Sequence, residues 1–193
     1  MERHLFLTGS SGTHKTALLC EALGARLASA GGLATRPARA PSGLLQGLDL
    51  VPAAVLGGVE GLERRRFLSY TAGAKTDNEV YRDFGVRLMQ EAVWYPYVVL
   101  DEIGGFELII PQFRAALYEL LENPMPLIAV VKPASEAELF RQYLGLGDRF
   151  TGQVEQFHAW LLQSPDTRIL DLDTADRDRV LTDVRLWADE YLN

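Results

Sequence analysis

The run Gly9-Ser10-Ser11-Gly12-Thr13-His14-Lys15-Thr16 sets a glycine, a lysine and a hydroxyl at the spacing of the phosphate-binding pattern G-x-x-x-x-G-K-[ST]. Glycines in such a loop let backbone N–H groups curl around phosphate oxygens, with the positive end of the following helix behind them. The lysine reaches the β- and γ-phosphates, and the hydroxyl binds Mg²⁺. Gly9, Lys15 and Thr16 fit the pattern, and Gly12 adds backbone freedom. The sixth place, glycine in the pattern, holds His14. A left-handed backbone there would cost about 1–2 kcal/mol for a residue with a Cβ, although histidine is among the residues enriched in that region. The sharper effect is steric: an imidazole beside the β-phosphate narrows the pocket or turns the lysine aside. The plain alternative is a Gly/Ser turn between a strand and a helix.

A second chemical signal is Asp101-Glu102, which follows the apolar run Val98-Val99-Leu100 at an expected strand end. There an aspartate can hold Mg²⁺ and complement Thr16, and the adjacent glutamate can polarise an attacking water. Lys15, Lys75 and Lys132 are the lysines of the chain, so each position carries information. Lys132 ends another core strand and reads either as a contact to the nucleotide or as a solvated strand end. Gly73-Ala74-Lys75-Thr76 repeats the Lys-Thr ending without a preceding buried strand, and its threonine reads as a helix cap. Glu107 reads as a site residue or an exposed loop carboxylate, and Arg64-Arg65-Arg66 as solvated surface or a source of a charge-stabilising arginine. Cys20 and His158 read as packing residues, and His4 carries no signal.

The elements that must position these groups follow from periodicity. Leu5-Phe6-Leu7 is a short buried strand. Ala17 to Leu27 has helical spacing, and the paired Gly31-Gly32 is expected to stop that helix. Residues 33–70, broken by Pro37, Pro41 and Pro52, read as short antiparallel strands or hairpins. Thr76 to Glu79 has capping-box spacing and opens a helix that Pro96 ends. A strand at 97–102, a helix from Pro111, a strand at 126–132 and a short helix from Ser135 follow. A helix at 154–162, a half-exposed or edge strand at 167–173 and a last helix stacking Val180, Val184, Trp187 and Tyr191 complete the chain. Strands alternating with helices imply a mostly parallel sheet covered on both faces, with ligands at the carboxyl ends of its strands. Gly9, Asp101-Glu102 and Lys132 all fall at that end.

Composition bounds the function. The 193 residues suit one domain, 1–193, and 48% hydrophobic with 23% charged residues excludes wholesale disorder. No apolar run approaches the ~20 residues of a membrane span, and no secretory leader is legible. A single cysteine excludes an internal disulfide framework and a cysteine-based zinc site, so a cytoplasmic protein is expected. A net charge of −7 argues against a surface that tracks nucleic acid, while leaving room for a local positive pocket.

Together, the loop at 9–16, the string Asp101-Glu102-Ile103-Gly104 with Glu107-Leu108, the helix from Phe113, and Ile169-Leu170-Asp171-Leu172 with Arg177-Asp178 resemble a family. It is the small P-loop nucleoside-triphosphatases of thermophilic bacteria and archaea, which includes the human cancer-related nucleoside-triphosphatase. The likeness is weakest at 33–70 and 140–166. The resemblance implies a RecA-like three-layer α/β/α sandwich, a mostly parallel sheet with added antiparallel strands. It also implies slow, Mg²⁺-dependent hydrolysis of ATP, GTP and other nucleoside triphosphates. Lys15 and Thr16 match the family's phosphate and Mg²⁺ residues, Asp101 its Walker-B acid and Glu102 its base, while His14 departs from the family's Gly-Lys-Thr. Two other readings share the loop: a nucleotide or nucleoside kinase with an acceptor pocket near 33–70, and a nucleotide-binding sensor whose turnover is lost through His14.

Overall fold

The computed structural model describes residues 2–71 and 73–192; the two ends of the expected 1–193 domain lie outside that description. One eight-stranded sheet runs in the order β5-β4-β3-β2-β6-β7-β1-β8. Its strands are β1 (His4–Thr8), β2 (Gly31–Arg39), β3 (Leu45–Pro52), β4 (Arg65–Ser69), β5 (Lys75–Thr76), β6 (Val98–Ile103), β7 (Leu127–Val131) and β8 (Thr167–Asp171). The strands β2, β6, β7, β1 and β8 are mutually parallel, and β3, β4 and β5 extend the sheet antiparallel, as expected for 33–70.

Helices cover both faces because the strand residues alternate. Leu5 and Leu7 turn to one face, where α1 (Lys15–Leu23) and α6 (Arg177–Tyr191) contribute Leu18, Leu19, Val184 and Trp187. Phe6, Leu100 and Ala129 turn to the other. There they meet α2 (Val86–Glu91), α3 (Pro111–Glu122) and α5 (Arg149–Gln163) through Leu88, Phe113 and Phe157. The short α4 (Ala137–Leu144) lies beside that second face. This is the three-layer architecture expected. No helix among the described residues is long and apolar enough to cross a membrane.

Two local expectations are corrected. The helix after the glycine loop ends at Leu23 and passes through a 3₁₀ segment, Gly24–Ser29, so Gly31-Gly32 opens β2 instead of stopping a helix. Their requirement is tertiary. A Cβ at Gly32, whose φ is +96°, would lie 2.3 Å from the Val99 carbonyl oxygen, and one at Gly31 would lie 2.9 Å from the Ala92 backbone. At 75–76 the chain is a strand, and Asp77, not Thr76, accepts the amide of Glu79 at 3.0 Å. The Lys-Thr repeat there is thus part of the sheet's far edge.

Candidate active site

The loop after β1 takes its shape from three left-handed or glycine-only positions. Gly9 has φ +137°, Gly12 φ +94° and His14 φ +57°, and His14 is the one non-glycine residue with positive φ among those described. His14 thus adopts the costlier left-handed backbone, yet its side chain is exposed at the mouth and does not plug the loop. Lys15 folds back under the loop and is 7% exposed. Its Nζ donates to the carbonyl oxygens of Gly9 at 2.6 Å and Ser10 at 3.0 Å, and to Thr13 Oγ1 at 3.4 Å. At the start of α1, Leu18 is the first amide to find an intrahelical acceptor, from His14 at 3.0 Å. Among the described residues the amides of Lys15, Thr16 and Ala17 have no protein acceptor, the ordinary condition of a helix N-terminus open to an anion.

Two carboxylates brace the rim. Asp173, just past β8, accepts the Ser10 amide and hydroxyl, each at 2.7 Å. Glu136, beyond β7, accepts the Ser11 amide at 2.7 Å. These strands flank β1 in the sheet, so the loop is held from both sides. The Ser10 contacts hold the Asp173 carboxyl below its ordinary range.

Across β7 from the loop, β6 delivers the acid pair. Alternation turns Val99 and then Asp101 toward the α1 face, and Thr16 Oγ1 donates to Asp101 Oδ1 at 2.7 Å. Asp101 is 1% exposed, and burial pushes its carboxyl up to about 6 despite the Thr16 hydrogen bond. Glu102 is placed by a different device. Asp101 pairs with Val130 and Ile103 with Val131, so Glu102 is the extra residue of a bulge and leaves the alternation. It forms an ion pair with Lys132 at 3.0 Å.

The structure thus brings Ser11, Gly12, His14, Lys15, Thr16 and Glu102 around one open cavity. Lys132 stands on the far side of Glu102, with its Nζ 5.6 Å from the Phe140 ring centre, and does not line that cavity. Glu107 is not an exposed loop carboxylate: it is 2% exposed and accepts the amides of Gly104 and Gly105, each at 2.7 Å. Burial raises its carboxyl, with Lys132 opposing. It locks the turn that follows the acid pair. The arginine triplet is surface, with Arg65 paired to Glu63 and Arg66 to Asp49. His158 Nε2 lies 2.9 Å from the Lys132 carbonyl oxygen, which can only accept, so that nitrogen carries the proton.

Sequence reasoning missed Arg36. It sits on β2, two residues past Ala34, the partner of Asp101, and lines the loop-side cavity. It has no ion pair among the described residues, and its charge opposes the upward push on Asp101. A signal existed in principle: β2 ends at the same edge as β6. Pairing β2 beside β6 is a non-local fact that periodicity does not carry.

Comparison with known proteins bears on the fold and the family. The nucleoside-triphosphatase THEP1 of Thermotoga petrophila is 31% identical over 136 residues, 68% of this chain and 73% of that protein. The crystal structure of THEP1 from the hyperthermophile Aquifex aeolicus matches with a TM-score of 0.63 at 17% identity, over 94% of this chain and 96% of that one, a likeness of fold. The pattern of the family described as NTPase matches residues 4–185. Because that match runs from β1 into α6 and encloses the phosphate-type loop, the chain belongs to the NTPase family and is an enzyme of the nucleoside-triphosphatase class.

Proposed function

We propose that the chain hydrolyses ATP and GTP to the diphosphate and phosphate, with Mg²⁺, in the cytoplasm. The observation that carries this reading is the Thr16–Asp101 hydrogen bond of 2.7 Å. It joins the end of the anion-binding loop to the acid strand, although 85 residues separate the two in sequence. In this reading the amides from Gly12 to Thr16 cradle phosphate oxygens, and the Lys15 ammonium exchanges its carbonyl partners for the β- and γ-phosphates. Glu102, on the cavity wall, orients the attacking water and takes its proton. Arg36 adds positive charge where negative charge must be stabilised during the transfer.

The residues present suit Mg²⁺. Thr16 Oγ1 and Asp101 Oδ1 are hard oxygen donors, and among the described residues the buried Asp101 carboxylate has a hydroxyl as its partner and no cationic side chain paired with it. Mg²⁺ takes one or two protein oxygens and fills its remaining positions with phosphate and water, which this donor pair permits. When bound it neutralises charge on the phosphates. The net charge of −7 favours a small anionic ligand in a local pocket over a nucleic acid along the surface.

Phosphate release from ATP and GTP, measured for the wild type and for Glu102→Gln, tests the assignment. The expected loss is roughly 10²–10⁴-fold. Equal rates would remove Glu102 from the reaction.

A further inference from the structure

A second cavity, of about 200 Å³, opens on the other side of Glu102. It shares Ser11 and Glu102 with the loop-side cavity, so the same carboxylate faces both. Hydrolysis needs only water at that point, and an aromatic-lined cavity has no part in delivering it. Six aromatic rings line it: Phe67, Tyr70, Tyr81, Phe106, Phe140 and Tyr143. Those of Phe67 and Tyr81 meet at 5.0 Å and those of Tyr81 and Phe106 at 5.4 Å, nearly edge to face, so that part of the wall is a firmly packed aromatic surface.

We propose that this cavity binds the acceptor of a phosphoryl transfer: a small, neutral or cationic aromatic ring that carries an alcohol. The inference rests on the triphosphate being held at the loop as described above. Ring binding follows from the aromatic lining, and small size from a volume below the roughly 300–1,000 Å³ of drug-sized sites. The charge class follows from the acids. Glu102, Glu107 and Glu136 line the cavity, and its one lysine, Lys132, is already paired with Glu102. An acceptor that already carries a phosphate would meet this excess of carboxylates.

In the transfer the alcohol oxygen attacks the γ-phosphorus and forms a new P–O bond. The bond from that phosphorus to the β,γ-bridging oxygen breaks, its electron pair leaving with the nucleoside diphosphate. The alcohol proton passes to the Glu102 carboxylate and then to solvent. The products are a phosphomonoester and the diphosphate, and water competes with the alcohol when the cavity is empty.

The test incubates the protein with ATP and Mg²⁺ and, separately, pyridoxine, cytidine and thymidine, with the two nucleoside monophosphates as charged controls. Phosphorus NMR and mass spectrometry read the phosphoester, free phosphate is measured in parallel, and a non-hydrolysable ATP analogue is titrated. The proposal expects a phosphoester from at least one neutral probe, with phosphate release falling as it forms and the monophosphates roughly tenfold or more slower. At saturating ATP, Tyr143→Ala, on the exposed rim, should raise the acceptor KM about tenfold or more with a smaller change in kcat. Phosphate release with no phosphoester from any probe overturns the acceptor site and leaves hydrolysis standing. Phosphoester from the monophosphates alone overturns the charge class and with it the proposal. An analogue that does not bind overturns the proposal together with the reading beneath it.

Discussion

At the scale of single residues, the site is a set of groups held in conditions they would not choose alone. His14 occupies a left-handed backbone that disfavours a Cβ by about 1–2 kcal/mol. Glycine there relieves that strain but gives back about 0.5–1 kcal/mol through unfolded-chain freedom. His14→Gly should therefore be neutral or more stable by up to about 1.5 kcal/mol in urea denaturation, and it should retain phosphate release. A clear loss of stability would mean that the imidazole contributes a contact. Asp101 gives a pH signature. Its folded carboxyl titrates near 6 against 3.8 ordinarily, so the folded state holds a proton between those values that the unfolded chain has released. That contribution is complete below about pH 4 and is lost as pH rises through about 6. Asp101→Asn lacks the titration. Without Mg²⁺, its stability relative to wild type should rise by on the order of 3 kcal/mol from pH 4 to 7, read by denaturant titration at each pH. A difference independent of pH would contradict the assigned burial of the charge. The glycine, lysine, threonine and acid of the candidate site are legible in the sequence because each belongs to a local string. Glu107 was read with an exposed alternative because its two amide partners lie in a turn whose burial only the fold supplies.

At the scale of elements, the loop's rigidity comes from its neighbours. Asp173→Ala removes two hydrogen bonds to Ser10, and since all partners are exposed the loss of global stability should be slight. Hydrogen exchange at Ser10 and Gly12 should nonetheless accelerate, because the loop then opens locally. Unchanged exchange would assign the bracing to Glu136 and Lys15 alone. Gly32→Ala is the opposite case, a backbone approach with no slack. Its φ of +96° and the 2.3 Å clash with the Val99 carbonyl should destabilise by at least roughly 2–3 kcal/mol in thermal or chemical denaturation. Sequence reading assigned those glycines to a helix stop, since glycine pairs punctuate helices; what requires them is the close passage of β2 past β6, more than sixty positions on. Strand and helix types were legible for β1, β6, β7, α3 and α6, whose apolar spacing is unambiguous. The Thr76 cap was misplaced by one residue because aspartate and threonine compete for the same role.

At the scale of the whole molecule, the order of strands makes the site. The loop strand β1 and the acid strand β6 lie one strand apart, on either side of β7, so Thr16 and Asp101 meet at the sheet's carboxyl edge. Strands β3 and β4 of the antiparallel extension supply Leu48, Phe67 and Leu68 to the aromatic cavity, which joins the 33–70 region to the site. Neither the order nor that junction is written locally, and this is why the bulge at Glu102 and the position of Arg36 were out of reach of periodicity. In the proposed reaction the loop over Lys15 binds a triphosphate. Calorimetric titration of wild type and Lys15→Ala with a non-hydrolysable ATP analogue and Mg²⁺ tests it directly. Saturable one-to-one binding that weakens roughly ten- to hundredfold in the variant is expected. No binding to the wild type, or equal affinity in both, would contradict it.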